Sequence, residues 1–550
     1  MHSLAQQCPQ PQEDQLGPVL VCDRKSIIGL QTGTTIYAYK YTTFQLSSTK
    51  ISKMALLVFL LALPLVFLFL LKKNKTTKKY HLPPGPKGLP IIGNLHQLYF
   101  CIPHKRIWEL SKHYGPIMTL RMGTRPAIVV TSAKLAKDIM KTYDLNFCSR
   151  PALVGSHKLS YDGLDVVFSP YGEYWREMRK ITVVHLFNSI RSSTFRHIRE
   201  DEVSRLMSKV CESAAASKPF DMSEAMLALG NNVTLRAATG KRCDVEDRLT
   251  RLVSETQAMF AGFFFSDYIP YVGKIIDTLS GLLPRLNKNF SEFDVLYQDI
   301  IDEHLQGKAP KSECENLVEV LLKLYKENAY KIQLTFAHLK AILMNVFIAG
   351  TDTSASAVVW AMCLLMKNPE IMRKTQEEIR SVIGKKGFVN EDDLQKLPYY
   401  KAMVRETMRL EPAAPMLVPR ETIEDCKLGG YDIPAKSIVY VNNWAVGRDP
   451  EAWENPHEFR PERLLESGID VKGNDYELTP FGAGRRICPG YFMGMSNVEL
   501  SLANFLYRFD WEMPPGMKAD DIDFNDVRPG IVVHKKHNLL LMAKDYLSTA

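Results

Sequence analysis

Cys488 stands in a loop with Gly482, Gly484 and Gly490 around it, Arg485 and Arg486 just before it, and an apolar run after it. Glycine tolerates backbone angles and close approaches that a side chain forbids, and Pro489 suits the first turn of a helix. A cysteine near a helix N-terminus and beside two guanidinium groups is favoured as the thiolate, and one of those arginines can face an anion. A thiolate is a metal ligand, although a lone cysteine is more often a buried structural thiol. The spacing decides between the two: the pattern F-x-x-G-x-R-x-C-x-G is filled at every fixed position, by Phe481, Gly484, Arg486, Cys488 and Gly490.

Three further clusters carry reactive side chains. Trp175 and Arg179 are four residues apart, so on a helix they share a face and can point toward one acidic group; alone, such a pair is usually amphipathic surface. Gly350, Thr351, Asp352, Thr353 and Ser354 interrupt the longest apolar helical pattern, residues 336–366, which would extend roughly 46 Å at about 1.5 Å per residue. All five are poor helix formers there, which predicts a local distortion. A carboxylate beside a hydroxyl, Asp352 and Thr353, can organise water that supplies protons. Glu406 and Arg409 set opposite charges three apart on a helix ended by Pro412; most such pairs are exposed and worth under about 1 kcal/mol.

Taken together, these segments resemble the cytochrome P-450 haem-thiolate monooxygenases from about residue 54 to the C-terminus, in particular the plant seventy-one clan and its aldoxime-metabolising eighty-three family. The resemblance implies a mainly α fold with small β-sheets, built as a single large domain behind an N-terminal membrane anchor. It makes Cys488 the axial ligand of haem b iron, within a cofactor loop of Phe481, Gly484, Arg486 and Gly490. Trp175, Arg179 and Arg420 would hold haem propionates, and Asp352 and Thr353 would deliver protons. Glu406 and Arg409 would join Arg463 in a buried network. Leu464, where many members carry phenylalanine, would affect packing only. Residues 413–420 and 527–533 would line the substrate pocket, with Ala349, Leu417, Val418 and Ile531 as contacts. Residues 220–327 would form its roof, where Phe260, Phe263, Phe264 and Phe265 could line the access route, although such aromatic stripes are more often core.

The implied reaction inserts one atom of dioxygen into a lipophilic small molecule of plant specialised metabolism, an aldoxime among the candidates. No G-x-G-x-x-G and no P-loop occurs, so electrons must come from elsewhere. The resemblance supplies a separate membrane-bound flavoprotein reductase using NADPH, docked on the basic face near Cys488. Two rivals differ in kind. A haem-thiolate isomerase or dehydratase needs no reductase, and the intact Asp352 and Thr353 pair speaks against it. A non-catalytic membrane haem protein would keep the ligand and lack turnover.

The rest of the chain must position these groups. Its 550 residues are 46% hydrophobic, enough for a large core, and the site motifs are scattered along the chain, which favours one domain over several. The formal charge of +8 is mild and partly local, with Lys72, Lys73, Lys75, Lys78 and Lys79 in one run, so no nucleic-acid partner is implied. Ten dispersed cysteines without a C-x-x-C pair suit a reducing compartment. The sequons at Asn74, Asn232 and Asn289 then read as chance matches. Residues 1–53 read as a non-native or disordered leader with Met54 as the start. Residues 54–71 read as a transmembrane anchor in lipid, and the lysines after it keep the body in the cytosol; the resemblance implies that the membrane is that of the endoplasmic reticulum. Residues 72–90 read as a basic, proline-rich hinge, and 91–550 as the catalytic domain.

Overall fold

A helical body with small sheets encloses one long central helix in the computed structural model, which describes residues 80–98, 101–242, 246–260, 262–269, 272–309, 314–528 and 530–549. The expected leader, the anchor over 54–71 and the lysine run over 72–79 lie outside the described residues.

Helix α1 (Pro103–Tyr114) leads into a hairpin of β1 (Ile117–Met122) and β2 (Arg125–Val130). Gly123 starts the two-residue turn at φ 61°, and a Cβ there would stand 2.3 Å from the Tyr268 carbonyl oxygen, so only glycine fits. β3 (Arg420–Glu421) and β4 (Ile438–Val441) complete the sheet in the order β1-β2-β4-β3, with β2 and β4 parallel. As an inner strand, β2 is buried from Ala127 to Val130. The described part of the proline-rich hinge is laid onto this sheet. The Thr119 N–H donates to the Pro84 carbonyl at 2.9 Å, and a Cβ on Gly85 would meet the Thr119 carbonyl oxygen at 1.9 Å. Proline keeps its carbonyl while losing its N–H, so an extended proline segment can still accept from an edge strand.

The site is carried by six helices: α2 (Glu173–Ile181), α3 (Met222–Thr239), α4 (Glu246–Phe260), α5 (Phe336–Lys367), α6 (Pro398–Leu410) and α7 (Tyr491–Arg508). Helix α5 matches the predicted helix to within a residue. It is long and apolar enough to cross a membrane, but 83% of its apolar window is buried, which makes it the core helix. The distortion expected at 350–354 is absent, and α5 is helical throughout. Gly350 and Gly230 mark where α5 and α3 approach: a Cβ on Gly350 would lie 2.7 Å from Thr234 Oγ1, and one on Gly230 would lie 2.4 Å from the Thr351 carbonyl oxygen. Helix α7 follows the Cys488 loop and buries Leu500, Leu502, Phe505 and Leu506 in the core that also takes Val358 and Met362 of α5. The cysteine loop is thereby tethered to the central helix.

Asn232 and Asn289 are 4% and 3% exposed, and Asn289 bonds Thr256 and the Leu252 carbonyl. A folded chain offers neither to a glycosylating enzyme.

Candidate functional site

Gly482 and Gly484 both sit at φ 68°, and a Cβ on Gly484 would meet the Met140 carbonyl oxygen at 2.1 Å. The loop therefore needs glycine at those two positions. Gly490, at φ −85°, needs it for no angular reason; it is the N-cap of α7, which places Pro489 before the cap and outside the first turn. The Cys488 N–H donates to the Phe481 carbonyl at 2.9 Å, and the Phe481 ring meets Tyr491 edge-on at 5.1 Å. Arg485 turns away from the sulfur: it is about half exposed, and its backbone N–H donates to Asp144 at 3.0 Å. Cys488 faces a cavity of about 300 Å³ between the loop and α5. Burial pushes its thiol up, against smaller opposing pulls from the Gly490 N–H and the positive charge of Arg179. Burial thus opposes the charged form of the sulfur, and a directly bound cation would offset that cost.

Four arginines line the same cavity, Arg150, Arg179, Arg420 and Arg486. Arg150, Arg420 and Arg486 are less than a tenth exposed. Arg486 donates to the carbonyls of Cys148 (2.7 Å), Val166 (3.4 Å) and Ser169 (2.7 Å), and its guanidinium lies 4.1 Å from the centre of the Trp175 ring. Arg150 is held by the Val167 and Pro419 carbonyls, and Arg179 by the Ile487 carbonyl. Arg420 alone reaches a carboxylate, Asp144 at 3.3 Å. Of the pair Trp175 and Arg179, Arg179 lines the cavity, while the Trp175 indole N–H donates to the Val166 carbonyl at 3.0 Å. Burial lowers the pKa of all four cations, that of Arg486 to about 9. Buried charges so short of counter-ions are costly unless a ligand brings them.

Opposite chemistry is offered by α5. Ala349, Gly350, Thr353 and Ser354 line the main cavity, and the Thr353 hydroxyl donates to the Ala349 carbonyl at 2.9 Å. Asp352, one position before Thr353, does not line it. Its carboxylate lies behind the helix in a second cavity of about 150 Å³, with Oδ1 2.7 Å from His534 Nε2. Adjacent helical positions are separated by about 100° around the axis, so the expected side-by-side pair is split between two cavities.

Glu406 and Arg409 are 0% exposed and doubly bonded, Nε to Oε2 and Nη2 to Oε1 at 2.8 Å each. Arg463 Nε adds 3.0 Å to Oε1, and Arg409 also donates to the carbonyls of Gly447, Pro456 and Glu458. The three expected members thus form one saturated network, with Leu464 buried beside it.

The named pocket residues Ala349, Leu417, Val418 and Ile531 all line the main cavity. Leu417 does so from a left-handed backbone, φ 51°. Of the four phenylalanines, Phe260 lines the cavity, whereas Phe264 packs with Leu159, Met259 and Leu286, and Phe263 stacks on Tyr268 at 4.9 Å. Sequence reasoning missed Arg150, Asp165 and Asn345. Asp165 accepts from the N–H groups of Val167, Phe168 and Ser169 and from Asn345 of α5 at 2.8 Å, which pins the cavity's ceiling to the central helix. An aspartate before a turn was the available signal; Arg150, ahead of a proline outside any periodic run, gave none.

Among the described residues no three of His, Cys, Asp and Glu gather as a metal cage. A metal on Cys488 must therefore bring its other ligands with it. A flat apolar macrocycle carrying iron and two carboxylates at one edge meets the apolar walls, the sulfur and the under-compensated arginines, so these residues fit haem.

The comparisons agree with that chemistry. The sequence model of the cytochrome P-450 family matches residues 83–542. A 6,7,8-trihydroxycoumarin synthase of Pastinaca sativa is 48% identical over 504 residues, 89% of this chain and 99% of that one. Cytochrome P-450 83A1 of Arabidopsis thaliana is 43% identical over 494 residues, 88% and 98% respectively. A zebra fish cytochrome P-450 solved with abiraterone superposes with TM-score 0.67 at 25% identity, covering 80% of this chain and 99% of that one.

Proposed function

This chain belongs to the cytochrome P-450 family, and from that premise we propose that Cys488 ligates the haem iron while Arg179, Arg420, Arg486 and Arg150 hold the haem carboxylates. The protein is a haem-dependent monooxygenase of plant specialised metabolism that draws electrons from NADPH through a reductase. The observation that supports the residue assignment is one cavity walled by a thiol and four arginines with a single carboxylate partner among them.

Bound haem supplies the iron that activates dioxygen, and a thiolate ligand favours O–O cleavage. The chain's own residues do the rest. The arginines neutralise and orient the carboxylates through charge-assisted bonds. The Thr353 hydroxyl, which donates to the Ala349 carbonyl on the cavity face of α5, holds a water-derived proton for delivery. Phe168 and Phe260, 4.9 Å apart and inclined at 40°, join Ile342, Val346 and Val532 in excluding water.

The substrate that suits these walls is a flat, aromatic, lipophilic molecule, and the relationship to a trihydroxycoumarin synthase supports a coumarin-type ring. The anchor over 54–71 would hold the enzyme at the endoplasmic reticulum membrane, next to its reductase. A reduced carbon-monoxide difference spectrum tests the ligation: a thiolate-type Soret band lost in Cys488→Ser is expected, and a histidine-type band defeats the reading. Binding spectra with coumarins, aldoximes, terpenoids and phenylpropanoids test the substrate, and a spectral shift confined to aldoximes would overturn the coumarin class.

A further inference from the structure

The second cavity lies behind α5, between α3, α4 and a hairpin of β5 (Val527–Arg528) and β6 (His534–Lys535). Its wall is mixed: Ser223, Ser254, Ser356 and Asn538 stand beside Asp352 and His534, and Leu227, Val359 and Trp360 supply apolar surface. Three buried polar atoms face this region without a hydrogen-bond partner among the described residues: Asp352 Oδ2, Gln257 Oε1 and His534 Nε2. The last lies 2.7 Å from Asp352 Oδ1, a close approach not aligned as a hydrogen bond. Unpartnered polar atoms in a buried pocket are costly unless something occupies it, and here the occupant must both donate and accept.

Two features give the pocket direction. Gln257 and Val532 line both cavities, so a polar amide stands in the partition. His534 is 21% exposed while Asp352 is 7% exposed, so the imidazole reaches toward solvent and the carboxylate does not. The neighbouring cations are tied elsewhere: Lys535 to Asp526 at 3.3 Å, and Arg528 to the Lys536 carbonyl and Asn538. His534 is the side chain left to face Asp352.

Resting on the monooxygenase reading above, we propose that His534 is the positioning residue of a proton route that enters through the second cavity and crosses α5 by way of Asp352 to the Thr353 side. The imidazole takes a proton from water at Nδ1 and, once the ring turns to align the 2.7 Å contact, gives up the proton on Nε2 to Asp352 Oδ1. Rotation of the carboxyl presents it at the Gln257 partition, and water on the Thr353 side receives it. No electrons move, and each proton passed inward is replaced from solvent. The split of Asp352 and Thr353 between cavities thereby becomes functional: the carboxylate collects protons on the wet side and the hydroxyl dispenses them on the dry one.

The test uses the full-length haem-loaded enzyme with its reductase, comparing wild type, His534→Gln, His534→Asn, Asp352→Asn and the His534→Gln/Asp352→Asn double variant. Haem content and the carbon-monoxide spectrum should match wild type in all of them. Product formed per NADPH should fall about tenfold in each single variant, with hydrogen peroxide appearing instead, and the double variant should be no worse than Asp352→Asn. As a readout independent of turnover, ¹⁵N-histidine spectra of the haem-loaded protein should show that the signal lost in His534→Gln shifts in Asp352→Asn. Wild-type coupling in both His534 variants, strictly additive losses in the double variant, or a His534 signal indifferent to Asp352→Asn overturns the proposal. Loss of the thiolate-type spectrum in wild type would sink the monooxygenase reading instead, so the two failures are distinguishable.

Discussion

Arg486 lies with its guanidinium 4.1 Å from the centre of the Trp175 ring, and every hydrogen bond it makes ends on a backbone carbonyl. Carbonyl dipoles and an aromatic face stabilise a cation without neutralising it. The remaining field is what an anionic ligand would use.

It follows that the haem carboxylates, more than the macrocycle, should report on Arg486. Replacing Arg486 by Gln should weaken haem binding by about 10- to 100-fold, the worth of a lost charge-assisted hydrogen bond. With the iron porphyrin dimethyl ester, which lacks the anionic charge, wild type and variant should bind alike. A variant that discriminates equally against both porphyrins would show that Arg486 acts on the fold and not on the carboxylates.

Glu406 has no exposure at all and serves Arg409 and Arg463 together. Glu406→Ala would leave Arg409 buried with carbonyl partners only, at a cost of roughly 3 to 5 kcal/mol. The same network joins α6 to the segment carrying Gly447 and Glu458. Glu406→Ala is therefore expected to yield no haem-loaded protein in the carbon-monoxide spectrum, and normal haem content would refute this.

How much of this was legible beforehand depended on whether a role is local. The Cys488 loop, the span of α5 and the Glu406 and Arg409 pair are set by neighbours within a few residues, and each stands where its pattern places it, apart from Pro489, which falls before the helix, and Arg485, which is half exposed. Which side of α5 Asp352 faces was not legible, because the partner that fixes it, His534, is 182 positions away on a hairpin. The same holds for Gly350, whose polar neighbours suggested distortion while the residue it approaches, Thr234 on α3, is remote in sequence. A local pattern states what a residue can do; long-range packing states in which cavity it does it.

Asp165 makes the ceiling of the cavity sensitive to pH. Burial raises its carboxyl from the ordinary 3.8 to about 6, against the pull of Asn345 and three backbone N–H groups. Because the folded value lies above the unfolded one, its contribution to stability is present in full below about pH 4 and is lost as pH rises through about 6, some 3 kcal/mol in all. Asp165→Asn lacks this dependence. The thermal midpoint of wild type relative to Asp165→Asn should accordingly fall between pH 4 and pH 7, and a constant difference would show that Asp165 does not titrate in this window.

The approach of α3 to α5 gives two glycines that look alike and should behave differently. A Cβ on Gly230 would meet the Thr351 carbonyl oxygen at 2.4 Å, a backbone atom of the core helix that can yield only if α3 moves away. A Cβ on Gly350 would meet Thr234 Oγ1 at 2.7 Å, the end of a side chain that can rotate. Each substitution to Ala gains up to about 1 kcal/mol of helix propensity. In Gly350→Ala that gain offsets the small rearrangement, and thermal stability should stay near wild type. In Gly230→Ala, overpacking costs about 1 to 3 kcal/mol, and the shift of α3 carries Thr234 out of the wall it shares with Thr353. Gly230→Ala should therefore lower the unfolding temperature and alter substrate binding spectra together, while Gly350→Ala changes neither by much. Equal losses in the two variants would mean that the helices are free to separate, and that their close approach does not set the geometry of the cavity.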